Sequence, residues 1–268
     1  MPGPRGGAAA AGRSVGFPAN GPVIPGSHRC RGGRVVAVRC EALFCTPLWS
    51  SQHPDPVLLQ GLATTVLSLE AADPAGIQRT NQGGWHSPVT LLDQPQFAGL
   101  FHWIAAEALG AFEAWGWDLN QALPCFHNAW AMVNRKGSST RAHLHPNSFF
   151  SGVCYLQVPA GSGAIAFLDP RSGAQMLQPP MRSDARGDHS GRVVQHPYPG
   201  LLLLFPSWLW HEVEPSSCQE PRICISFNLG LRPVKTRPAD SGGTATEGPM
   251  VGSPAAWAVG GGKPGPAT

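Results

Sequence analysis

The 268-residue chain is short of charge, of tyrosine and of paired cysteine. Only 13% of its residues are Asp, Glu, Lys or Arg, and none of the first 40 is acidic. The formal net charge of +3 is misleading, because six arginines in that acid-free leader carry it. Beyond residue 40 the acidic residues outnumber the basic ones, 16 to 13. Such a body lacks the clustered Lys and Arg that hold a phosphate backbone, so nucleic acid is excluded as a partner. Seven cysteines stand at 30, 40, 45, 125, 154, 218 and 224 without a C-x-x-C pair. That pattern excludes a zinc knuckle and a disulfide framework. No apolar run approaches the roughly 18 residues of a membrane span. The longest, Leu201–Phe205, suits a buried strand, and the sequence predicts a soluble protein.

What the chain has in excess is glycine, 33 residues, and proline, 28, concentrated toward its two ends. Residues 1–40 are Arg-bearing, acid-free and rich in Ala, Gly and Pro, with no apolar core of the secretory kind. They read as a disordered leader of the organelle-transit type, plastid ahead of mitochondrion because the Gly and Pro density spoils an amphipathic helix. Residues 233–268 read as a disordered tail. The stretch between, roughly 190 residues, is long enough to bury about 70% of the surface its unfolded chain exposes.

Within 41–232 the period of the apolar residues changes once. Asp55 as N-cap and Pro56 at the first position open a helix with Leu58, Leu59, Leu62, Val66 and Leu69 on one face, ending near Asp73-Pro74. A second helix is expected after NQGGWHS, where Phe97, Leu100, Phe101, Ile104, Ala108 and Phe112 recur at three and four. After Trp117 short apolar or alternating runs follow at 126–133, 149–158, 164–168, 193–196, 201–205 and 222–229. Many strands preceded by two helices predict a mainly β fold, a jelly-roll or double-stranded β-helix with the helices on one face.

Most of the ten histidines read as surface or hydrogen-bonded core residues. His143 and His145 in RAHLHPNS, at i and i+2, fall on one face if the segment is a strand. With His211 in FPSWLWHEVEP they supply three imidazoles to one face of an ion, leaving other positions open, the logic of non-haem Fe(II) sites. Arg222, opening RICISFN, suits bidentate pairing with a carboxylate, and Ser226 shares its face. Taken alone, Arg222 reads first as a surface strand residue paired with Glu220 or Glu214. Asp169 in LDPR reads as a turn cap ahead of a ligand. Trp208, Trp210 and Phe205 are candidates for a water-poor wall.

The order EALFCTPLW, NQGGWHS, NAWAMVN, HLHPNSFFSGVCYLQVPAGSGAIAFLDPR, PYPGLLLLFPSWLWHEVEP and RICISFN resembles the 2-oxoglutarate-Fe(II) oxygenases of the uncharacterised bacterial, phage and algal type. The resemblance covers about residues 41–232. It implies Fe(II) and O2, 2-oxoglutarate as cosubstrate, release of succinate and CO2, and hydroxylation of a prime substrate that the sequence does not name. By the resemblance His143 and His211 are iron ligands and Arg222 is the cosubstrate anchor. His145 departs from the pattern, because the wider superfamily has H-x-D/E where this chain has H-L-H. Either His145 completes a three-His site, or it stands behind the ion, which then keeps two protein ligands. Two other readings compete: a three-His cupin-type dioxygenase without 2-oxoglutarate, suggested by G-x5-H-x-H at Gly137–His145, and a non-catalytic binding barrel.

Overall fold

The computed structural model describes residues 44–176, 180 and 191–234. The expected leader and nearly all of the expected tail lie outside the described residues. The elements of the fold all belong to the unit that begins at Pro47.

Two long helices precede the strands that begin at Ala122, with one short strand before the first helix and two between the helices. In α1 (Pro56–Ala72) the Asp55 carboxylate accepts hydrogen bonds from the amides of Val57 and Leu58 at 2.9 and 3.0 Å, satisfying two of the donors a helix start leaves open. The helix stops at Asp73, where the following Pro74 disfavours further α geometry. Leu59, Leu62, Ala63 and Val66 form its buried stripe. In α2 (Ala98–Ala114) the stripe is Leu100, Phe101, Ile104, Ala105, Ala108, Ala111 and Phe112.

Eleven strands are named among the described residues: β1 (Trp49–Gln52), β2 (Asn81–Gln82), β3 (Trp85–His86), β4 (Ala122–Asn134), β5 (Ser139–His143), β6 (Phe150–Gln157), β7 (Ile165–Leu168), β8 (Arg192–Gln195), β9 (Leu201–Pro206), β10 (His211–Val213) and β11 (Arg222–Pro233). They pair antiparallel into a larger sheet, β1-β9-β6-β11-β4-β3, and a smaller one, β2-β5-β10-β7-β8. From β4 to β11 the chain passes back and forth between the sheets, which is the winding of the double-stranded β-helix.

Strand alternation decides which residues face which core. On the outer face of the larger sheet, Ala129, Ala131, Val133, Cys154, Leu202, Leu204, Ile223, Ile225 and Phe227 join the helix stripes in one apolar cluster. The alternate residues, among them Met132, Val153, Tyr155, Leu203, Phe205 and Cys224, face inward and meet Ile165 and Phe167 of the smaller sheet. Phe227 and Ile225 are fully buried, each contributing about 1.5–3 kcal/mol of apolar transfer.

NQGGWHS, expected only as a polar connection, carries β2 and β3. Asn81 turns the chain between them, its Nδ2 donating to the Gly84 carbonyl at 2.7 Å, and Gly83 takes the left-handed φ of +67° that the turn requires.

Candidate active site

His143 ends β5 and His211 begins β10, and the two are register partners across the smaller sheet. His145 does not lie on the strand that the i, i+2 reading required. β5 stops at His143, Pro146 has no N–H for a ladder, and Asn147 turns the chain with a left-handed φ of +65°. His145 is instead held from its backbone, its amide donating to the Ser207 carbonyl at 2.9 Å. The three rings nonetheless converge. Their centroids are 4.2 Å apart for His143 and His211, 4.9 Å for His143 and His145, and 5.2 Å for His145 and His211. One ligand nitrogen from each lies within 4.8 Å of the others.

Two of the rings are aimed by the same local device. Nδ1 of His143 lies 2.8 Å from the Arg141 carbonyl, and Nδ1 of His211 lies 2.9 Å from the Leu209 carbonyl, in each case two residues back. A carbonyl only accepts, so each Nδ1 carries the proton and each Nε2 keeps a free lone pair, the state a metal ligand needs. Burial keeps all three imidazoles neutral. It pulls His211 down to about 3 and, reinforced by the neighbouring His143, His145 down to about 4. His143 is lowered by burial against the opposing effect of its Arg141 hydrogen bond.

The wall is apolar on one side. Phe205, buried, meets the His211 ring edge-on at 4.7 Å, while Trp208 and Trp210 are half-exposed. Trp130 supplies a second aromatic face, 5.7 Å from His145 and stacked at 5.4 Å on the buried His86. Sequence patterning does not single out His86 and Trp130; the tryptophan within an alternating strand is their only signal. Asp169 behaves as the expected cap, accepting from the Arg171 amide at 2.9 Å and pairing with its guanidinium at 2.7 Å.

Arg222 opens β11 on the inward face, opposite Asn134 of β4, and Ser226 follows on the same face opposite Trp130. Arg222 is only 2% exposed. Its Nη1 donates to the Gly163 carbonyl at 2.7 Å, its guanidinium carbon lies 5.8 Å from the Tyr155 ring centroid, and its Nε has no partner among the described residues. The surface pairing with Glu214 is not formed, because Glu214 accepts from Arg192 at 2.8 Å.

Residues 128–228, spanning all three histidines, Arg222 and Ser226, match the family model described as "Putative 2OG-Fe(II) oxygenase". Over these residues the chain is similar to the 2OG-Fe(II) oxygenase family. That family uses Fe(II), 2-oxoglutarate and O2. No curated protein matches the chain. Among solved structures, a Pseudomonas putida prolyl-4-hydroxylase is 18% identical, with 70% of this chain and 94% of that chain covered and a TM-score of 0.47. A Trichoplax adhaerens prolyl hydroxylase, solved with a hypoxia-inducible-factor peptide fragment, is 14% identical over 68% and 83% of the two chains, with a TM-score of 0.46. HygX from Streptomyces hygroscopicus, solved with nickel and 2-oxoglutarate, is 12% identical over 69% and 83%, with a TM-score of 0.46. No helix among the described residues is long and apolar enough to cross a membrane.

Proposed function

We propose that His143, His145 and His211 hold Fe(II), that Arg222 with Ser226 holds the far carboxylate of 2-oxoglutarate, and that the protein oxidises a C–H bond of an organic prime substrate. The observation that carries this reading is the Arg222 guanidinium. It is permanently charged, almost wholly buried, and paired with no carboxylate among the described residues. Burying an uncompensated cation costs several kcal/mol, and a dicarboxylate supplies the missing anion. The residues also fit the metal: three neutral imidazoles converge, two presenting Nε2. Bound iron supplies the O2 chemistry that couples decarboxylation of the cosubstrate to substrate oxidation. The chain's part is to orient the ligands through the Arg141 and Leu209 carbonyls, to anchor the cosubstrate and to exclude water with Phe205. A three-His dioxygenase without 2-oxoglutarate leaves the buried guanidinium without an anion. The composition of residues 1–40 supports their reading as an organelle leader, plastid before mitochondrion.

Anaerobic titration of Fe(II) and then 2-oxoglutarate into the full chain tests the reading, because the ternary complex has a visible metal-to-ligand charge-transfer band. We expect the band in the wild type. In Arg222→Ala the metal should stay bound while the 2-oxoglutarate Kd rises at least tenfold, about the 1.5–3 kcal/mol of a hydrogen-bonded charged contact. No band, or an unchanged Kd, overturns it.

A further inference from the structure

Three buried side-chain atoms lack a hydrogen-bond partner among the described residues, and they fall on one cross-strand pair: Arg222 Nε, Asn134 Nδ2 and Asn134 Oδ1. Asn134 is 1% exposed, and neither end of its amide is satisfied. Buried amides are rarely left so, since each unmade bond costs about 1–3 kcal/mol. The outward direction is closed. A Cβ built on Gly84 would come within 3.3 Å of Asn134 Cγ, Nδ2 and Oδ1, so the amide already lies against the backbone there. Alternation along β4 puts Asn134 on the same inward face as Met132, and along β11 it puts Arg222 on the face of Cys224; both neighbours belong to the inner core.

Building on the proposed binding of 2-oxoglutarate, we infer that Asn134 is a second contact for the far carboxylate and sets the length of dicarboxylate the pocket accepts. A carboxylate accepts from Arg222 Nε and from Asn134 Nδ2 together, and Asn134 Oδ1 then accepts from a water that accompanies the anion. Because Gly84 backs the amide, the pocket ends at Asn134. A cosubstrate one methylene longer pushes its carboxylate into that amide.

The test is calorimetric binding of 2-oxoglutarate and of 2-oxoadipate to the anaerobic Fe(II) form of the full chain, for wild type, Arg222→Ala, Asn134→Ala and Asn134→Asp. Thermal melts accompany each variant with and without the ligand. Asn134→Ala should raise the 2-oxoglutarate Kd about tenfold and narrow the preference over 2-oxoadipate by a similar factor. Asn134→Asp, nearly isosteric, should weaken 2-oxoglutarate further, because it sets one carboxylate against another. Without ligand, Asn134→Ala should melt no lower than wild type, since it removes two unsatisfied polar atoms. A lower melting temperature with unchanged 2-oxoglutarate affinity marks a purely structural asparagine and overturns the inference. Wild-type affinity in both Asn134 variants, with Arg222→Ala impaired, also overturns it while leaving the proposed function standing. If Arg222→Ala binds like wild type, or wild type does not bind at all, the proposed function falls and the inference with it.

Discussion

His143 and His211 face each other across the β5–β10 ladder with ring centroids 4.2 Å apart, and each is tied by Nδ1 to the carbonyl two residues behind it. The site is thus aimed by two very short stretches of backbone on adjacent strands, before any metal is considered. His145 has no such tie. Its ring leans on Trp130 and its backbone on Ser207. The three imidazoles of the triad are therefore unequally fixed, and burial holds all of them neutral. Both properties have measurable consequences.

The first is a dependence of stability on pH. In an unfolded chain an imidazole titrates near 6.5, but in the fold burial holds His211 at about 3 and His145 at about 4, with His143 and His86 also lowered. Between those values the unfolded state binds protons that the folded state refuses. The stability of the metal-free protein is then fully present above about pH 6.5 and falls as the pH drops toward 4. Melting temperatures measured from pH 7.5 to 5 should decline steadily, and more steeply with Fe(II) bound, because the ion takes only neutral imidazoles. A flat profile across that range would contradict the burial of the triad.

How much of the molecule is legible in its sequence depends on hydrophobic contrast. The Asp55 cap, both helical stripes and the strands around Phe150–Gln157 and Leu201–Pro206 stand out because an apolar face alternates with a polar one or fills a continuous run. Strands β5 and β10 read STRAH and HEV, short and mostly polar runs without an apolar alternation, so periodicity could not show them. The histidine triad is legible as residue types, while its geometry is not: Pro146 and Asn147 take His145 off the strand. Asn134 closes the NAWAMVN stretch but carries no signal of a role there. Its importance rests on two amide atoms that lack partners among the described residues, a property of the folded arrangement that sequence spacing does not encode.

A second prediction concerns Gly163, whose carbonyl accepts the hydrogen bond from Arg222 Nη1. A Cβ at this position would overlap the Glu214 carbonyl oxygen, so Gly163→Ala must displace one of the two backbones. We expect a loss of about 1–3 kcal/mol in stability, as for an overpacked core, together with weaker 2-oxoglutarate binding as Arg222 loses its tether. Gly110, inside α2, is the control. Nothing lies within 4 Å of a Cβ there, and Gly110→Ala should stabilise by about 0.5–1 kcal/mol without touching the ligand. Denaturant unfolding and 2-oxoglutarate titration of both variants separate a packing defect from a loss of anchorage.

The last prediction addresses His145, where the chain departs from H-x-D/E. If all three imidazoles bond the ion, His145→Ala should lower Fe(II) affinity about as much as His143→Ala or His211→Ala, since each removes one metal–nitrogen bond from the same group. The weaker orientation of His145 makes a somewhat smaller loss the expected outcome, though still of the same order. His145→Asp should then keep iron, because a carboxylate at this position restores the usual ligand type and adds a negative charge beside the cation. The site tolerates that charge: no carboxylate belongs to the triad, and Asp169 is committed to Arg171. If His145 instead only supports the other two, its removal should cost nearer the 10–100-fold typical of groups behind the ligands, and the Asp variant should do no better than Ala. Anaerobic iron binding by the four variants decides the matter, and near-wild-type affinity in His145→Ala would rule out a three-histidine site.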